Sequence, residues 1–228
     1  MSTRLWYDRY QEGWLNAMPL GNGKIAAMFF GDPQTEHIQV NEESLYTGRQ
    51  LEEKYNTSSE MLDKIRRMIF DGDYEGACAL SDVSFLTEPP RVRFYQTMGD
   101  IYVDFHSKGE VTDYHKELEL STGIAEANFV RGGIRYESES FISQKYNVLA
   151  YRVRTPNGEK FSFDLKYERV DYRKESYRPE EKIISDQRVV VRNEGASIVL
   201  DGVAVDGTHP QYGEGGESVR FGGAFPPR

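Results

Sequence analysis

From residue 93 onward the chain alternates apolar and polar side chains with a period of two. That spacing puts successive residues on opposite faces of a strand. Ile101, Val103 and Phe105 alternate with Asp100, Tyr102 and Asp104. Phe161, Phe163, Leu165 and Tyr167 alternate with Lys160, Ser162, Asp164 and Lys166, the cleanest such run in the chain. Further strands are predicted over 114–120, 124–130, 134–142, 147–154, 187–193 and 197–205. Turns separate them at Ser121-Thr122-Gly123, Gly132-Gly133, Pro156-Asn157-Gly158 and Asn193-Glu194-Gly195. Short strands at regular intervals predict an antiparallel β-sandwich with one face of each sheet wetted. Residues 169–186 are charged and read as a solvated loop, and residues 206–228, rich in Gly and Pro, as an irregular tail.

The first hundred residues carry two other patterns. Lys24 to Phe30 reads as a buried strand, Asp32-Pro33 as a turn, and His37 to Val40 as the second strand of a hairpin. Gly21-Asn22-Gly23 bends the chain ahead of it. Residues 57–80 hold the helical signal, with Leu62, Ile65 and Ile69 on one apolar stripe. Thr57 with Glu60 predicts a capping box, and Asp71-Gly72 a stop followed by a short second helix.

Composition narrows the functional classes. The 228 residues are 38% hydrophobic and 29% charged, with a net charge of −9. An acidic balance argues against nucleic acid and anionic membrane surfaces as partners. No apolar run approaches the ~20 residues of a spanning helix, and the first ten residues lack the apolar core of a signal peptide. The lone Cys78 forms no internal disulfide, so the cytoplasm is the default compartment, with an extracytoplasmic one left open.

Four motifs carry a family resemblance. Pro19-Leu20-Gly21-Asn22-Gly23-Lys24-Ile25-Ala26-Ala27-Met28-Phe29-Phe30-Gly31 is followed by Ile38-Gln39-Val40-Asn41-Glu42-Glu43-Ser44-Leu45-Tyr46-Thr47-Gly48. Then come Ile65-Arg66-Arg67-Met68-Ile69-Phe70-Asp71-Gly72-Asp73-Tyr74 and Tyr95-Gln96-Thr97-Met98-Gly99-Asp100-Ile101-Tyr102. In this order they resemble the N-terminal domain of glycoside hydrolase family 95, the α-L-fucosidases, with Ala26 in place of a Gly and Tyr46 in place of a Trp. The likeness reaches to about residue 155. It implies a supersandwich-like fold, left open as to completeness, with a short helical insert. The whole of 1–228 is then one N-terminal β-sandwich domain. In that family a segment like Gly216–Phe221 opens a further strand pair, and an (α/α)6 barrel follows that is not in this chain. The barrel supplies the general acid and the residues that position the attacking water of an inverting reaction. No residue here corresponds to them, so no catalytic residue, cofactor or metal is expected.

The resemblance makes Trp14, Asn22, Asn41, Glu42 and Tyr46 candidates for a pocket rim or a domain contact. The competing reading is turn formation and hairpin-end capping. The acid pairs Asp100/Asp104, Glu117/Glu119 and Glu137/Glu139 share strand faces and read as solvated. The four histidines show no metal spacing. The many aromatics fit a ring-rich core better than a sugar platform, although Trp6 and Trp14 could stack on a pyranose. The leading expectation is therefore the N-terminal sandwich of an α-L-fucosidase-like hydrolase that meets fucosylated glycans in a longer protein. Rival readings are an independent carbohydrate-binding module and a small stand-alone glycoside hydrolase. Missing neighbour strands would leave sheet edges open to self-association.

Overall fold

The structure is a computed structural model and describes residues 3–46, 54–55, 57–88, 95–169, 188–206 and 216–226. The predicted loop over 169–186 and the loop exit at Glu88-Pro89-Pro90 fall largely outside the described residues. The chain divides into two compact units, Met1–Leu45 with Thr97–Tyr172, and Tyr46–Gln96 with Arg173–Arg228. Mainly β structure in antiparallel sheets agrees with the sequence expectation.

The first unit is a sandwich of two five-stranded sheets. One runs in the order β1 (Arg4–Tyr7), β8 (Val111–Glu119), β9 (Ile124–Arg131), β10 (Ile134–Ser143), β11 (Val148–Arg154). The other runs β12 (Phe163–Glu168), β7 (Gly99–Phe105), β4 (Thr35–Glu42), β3 (Ile25–Phe29), β2 (Met18–Gly21). Val103 and Phe105 from one sheet meet Phe129 and Tyr136 from the other in a buried cluster. Its rings sit at centroid distances of 5.2 to 6.2 Å, in stacked, tilted and edge-on pairs. The aromatic content is thus used for core packing here.

Two glycines shape the turns around β3. Gly23 has φ 90°, which a side chain rarely adopts. At Gly31, φ is 68° and a Cβ would meet the Lys116 side chain at 2.6 Å and the Tyr114 hydroxyl at 2.9 Å. The next turn is closed by Asp32, whose Oδ1 accepts from the backbone N–H groups of Gln34 and Thr35.

The second unit contains α1 (Ser59–Phe70), α2 (Tyr74–Ser84), the short pair β5 (Lys54–Tyr55) and β6 (Thr87–Glu88), and a sheet of β13 (Arg188–Glu194), β14 (Ser197–Asp206) and β15 (Gly216–Phe225). Ser58, not Thr57, caps α1 by accepting from the Met61 N–H at 3.2 Å. Gly72 follows the helix with φ 85°, as expected of a left-handed C-terminal glycine. Ile65 is buried, but Ile69 is 44% exposed. Met68, half-buried, turns toward α2 instead, with its Cε 2.7 Å from where a Cβ at Gly76 would sit. Part of the expected irregular tail is a strand, because β15 pairs with β14 from Ile198↔Phe225 to Asp206↔Gly216. Its glycines fit that pairing: a Cβ at Gly222 would crowd the Leu200 carbonyl at 3.2 Å. Pairing partners on β14 outweigh the local bias of Gly against strands.

Candidate functional site

Strand alternation sorts β4 and β7 into two faces. Glu36, Ile38 and Val40 on β4, with Ile101, Val103 and Phe105 on β7, are buried between the sheets. His37, Gln39, Asn41, Asp100, Tyr102 and Asp104 point to the outer face. The register places three cross-strand rows there: Thr35–Asp104–Asp164, His37–Tyr102–Lys166 and Gln39–Asp100–Glu168. The expectation that Asp100 and Asp104 are equally solvated is corrected here, because Asp104 is exposed and Asp100 fully buried. A buried carboxylate needs partners. His37 Nε2 donates to Asp100 Oδ1 at 2.6 Å, and Gln39 adds a longer bond at 3.4 Å. The His37 ring is itself clamped, with Phe30 at 4.0 Å and Tyr102 at 4.7 Å between centroids, both tilted by only 17°. The other two acid pairs lie on the outer face of the first sheet, where arginines match them: Glu117 and Glu119 with Arg4, Glu137 with Arg154, and Glu139 with Arg152.

The sequence candidates take up distinct positions. Trp14 lies in a single 3-10 turn, is 56% exposed, and donates its indole N–H to Gln39 Oε1 at 3.0 Å. It therefore flanks the outer face at the Gln39–Asp100–Glu168 row. Asn22 closes the β2–β3 turn by accepting from the Lys24 and Ile25 N–H groups. Its amide also donates to Ser143 O and Asn147 Oδ1, which ties this turn to the one between β10 and β11. Glu42 pairs with Ile25 across the ladder and accepts from both the N–H and hydroxyl of Ser44. Asn41 pairs with Ala26 at the same sheet corner, and its buried Oδ1 has no hydrogen-bond partner among the described residues. The corner thus brings together Asn22, Asn41 and Glu42. Tyr46 belongs to the second unit, where it bridges to Tyr95 with the rings edge-on at 5.2 Å.

Sequence reading missed a polar pair inside the sandwich. Glu36 Oε1 accepts from the Gly31 and His37 N–H groups, and burial pushes its carboxyl up to about 8. Lys116 donates to the Asn16 and Phe30 carbonyls and sits over the Tyr7 ring. Burial lowers its ammonium to about 8, partly offset by Glu36. Nearby, burial raises the Tyr10 and Tyr114 phenols, and Tyr114 donates to the Gly31 carbonyl. Only the alternation of Glu36 with Ile38 and Val40 hinted at an inward carboxylate.

The cleft on the outer face, about 340 Å³, is lined by Thr35, Tyr102, Asp104, Asp164, Lys166 and Glu168. Asp164 is paired with His106 at 2.9 Å and Glu168 with Lys166. Among the described residues, no group of His, Cys, Asp and Glu is arranged to hold a metal ion.

Two packed antiparallel sheets with polar outer faces, one of them bearing the cleft, define a β-sandwich domain. The chain belongs to glycosyl hydrolase family 65, N-terminal domain, which residues 5–213 match. It is 26% identical over 168 residues to alpha-L-fucosidase 2 of Arabidopsis thaliana, a stretch that covers 72% of this chain and 20% of that protein. It is 29% identical over 159 residues to probable alpha-fucosidase A of Aspergillus niger, covering 65% and 19%. The counterpart from Aspergillus oryzae is 26% identical over 156 residues, covering 61% and 20%. The chain thus spans about a fifth of the length of the curated relatives it matches. These relatives agree with the α-L-fucosidase resemblance carried by the motifs.

Proposed function

We propose that this chain is the N-terminal β-sandwich portion of an α-L-fucosidase-like glycoside hydrolase, and that it braces a helical catalytic barrel carried elsewhere in the full polypeptide. The observation that carries this reading is the family match over 5–213, together with relatives named as α-fucosidases that are about five times longer than the aligned stretch. Fold alone supplies no chemistry. The acids of the first sheet's outer face are bound in ion pairs, which suits a scaffold better than a hydrolytic centre. In this reading the corner of Asn22, Asn41 and Glu42 serves with Trp14 as a domain contact or pocket rim, and Tyr46 of the second unit is a further contact of the same kind. The orphan acceptor of Asn41 supports that role, because a buried amide oxygen gains a partner when a donor from another segment docks on it.

The test compares residues 1–228 with the full-length gene product on an aryl α-L-fucoside. Turnover by the longer protein and background rates for the chain alone are expected. Turnover by the chain alone that vanishes in Glu42→Gln would favour a stand-alone hydrolase instead.

A further inference from the structure

We infer that the outer face of β4, β7 and β12 is a saccharide-binding site of this chain itself, which takes one neutral pyranose unit in the cleft of Thr35, Tyr102, Asp104, Asp164, Lys166 and Glu168. The choice of a saccharide rests on the glycoside-hydrolase reading above; the site itself rests on geometry. Its volume of about 340 Å³ lies in the range of small-ligand pockets. Around a single ring, Tyr102, every other lining residue is polar. That combination suits a ligand with an apolar C–H face and a rim of hydroxyls.

The cleft is also pre-ordered. Tyr102 is stacked on His37, His37 on Phe30, and the His37 ring is held by buried Asp100. Asp164 is held by His106 and Glu168 by Lys166. Among the described residues Asp104 has no hydrogen-bond or ion-pair partner, so both its oxygens are open to neighbouring hydroxyls. The stacked Tyr102 ring loses little freedom on binding, whereas the exposed carboxylates around it adjust to the ligand's hydroxyls. Three carboxylates against one lysine disfavour an anionic sugar. Two strands away, about 10 Å across the sheet, the indole of Trp14 is anchored through Gln39 at the end of the Glu168 row. It is placed to stack on a second, attached sugar unit.

Nitrogen-15 amide spectra of the chain, titrated with methyl α-L-fucoside, methyl β-D-galactoside and D-glucuronate, test this. At least one neutral glycoside should give saturable shifts centred on residues 102–104 and 164–168, and glucuronate should bind at least tenfold more weakly. Asp104→Asn should weaken the neutral sugar at least tenfold while keeping the wild-type urea midpoint, since Asp104 is exposed and unpaired. Tyr102→Ala should do the same where it folds. Linear shifts without saturation, shifts centred elsewhere, or unchanged affinity in Asp104→Asn would overturn the inference. Its failure is separable from that of the proposed function, because one is read as binding to this chain and the other as turnover by the longer protein.

Discussion

Replacing Glu36 with glutamine should abolish one specific limb of the pH–stability profile. Glu36 is 1% exposed and its carboxyl sits near 8, against an ordinary value of 4.5. Between those values the folded state keeps a proton that the unfolded state has released. Stability therefore falls as pH rises through this window, by about 1.4 kcal/mol per pH unit. From pH 5 to 7.5 the loss is about 3 kcal/mol. The groups that face Glu36 are Tyr10, Asp32 in the turn, Tyr114 and Lys116 on β8, and Tyr151 on β11. Lys116 acts in the opposite sense at higher pH: its folded value near 8 lies below 10.5, so stability is regained as pH rises from about 8. Glu119, held near 2 by Thr3, Ser121 and Arg4, contributes stability that is lost only as pH falls below 4.5, outside this window. In the Glu36→Gln variant the side-chain amide oxygen still accepts from Gly31 and His37, so the backbone bonds survive. Both tryptophans, Trp6 and Trp14, lie in the sandwich unit, so their fluorescence reports its unfolding. Urea titrations at pH 5, 6, 7 and 7.5 should show Glu36→Gln gaining about 3 kcal/mol relative to wild type across the series. With a urea dependence of ~3 kcal/mol per molar, that is a relative midpoint shift of about 1 M. Parallel curves for the two proteins would refute the reasoning and mean that Glu36 is ionised and solvated in the folded state.

Two further outcomes follow from packing. Ile65→Ala, at the one buried apolar position of α1, should cost about 2–5 kcal/mol and lower the far-ultraviolet helical melting transition, whereas Ile69→Ala, at a 44% exposed site, should leave it nearly unchanged. The chain should self-associate with concentration in sedimentation velocity through β13, which has one strand neighbour among the described residues and exposes Val190 and Val191 by 61% and 47%; Val190→Lys should shift the population to monomer, and a strictly monomeric wild-type chain would exclude edge pairing.

Most strands were legible because a half-buried strand declares itself locally, by period two. The predicted runs over 124–130, 134–142 and 197–205 correspond to β9, β10 and β14. What a period cannot carry is register. His37 and Asp100 are 63 positions apart, and only the β4–β7 pairing puts them in one hydrogen bond. The same holds for Glu36 and Lys116, which approach each other because β4 and β8 belong to facing sheets. Strands β1 and β2 escaped notice because four residues are too few to show alternation. The helical errors were of another kind. Thr57 and Ser58 are equally good caps in composition, and one residue of phase chooses between them. Ile69 looks better than Met68 as a core residue until the position of Gly76 on α2 is known. In the tail, glycine counted against a strand, but a paired neighbour reverses that judgement.

The family motif around Gly21–Gly31 also separates what builds the fold from what remains for function. Gly23 is needed for its backbone angle, Gly31 for the approach of Lys116 and Tyr114, and Asn22 for joining two turns across the sandwich. Each of these roles is structural, and for Asn22 it fixes the corner where a contact is proposed. Asn41 and Trp14 are different. Asn41 keeps a buried oxygen with no partner among the described residues, which no local turn explains. Trp14 leaves a large ring in solvent while its N–H is fixed by Gln39, which in turn contacts the buried Asp100. Both residues lie along the β4 side of the outer face, one at its corner and one at the row that runs to Glu168. Contacts with other segments or with saccharide are therefore expected along this face, while the opposite sheet presents a lattice of satisfied ion pairs to water.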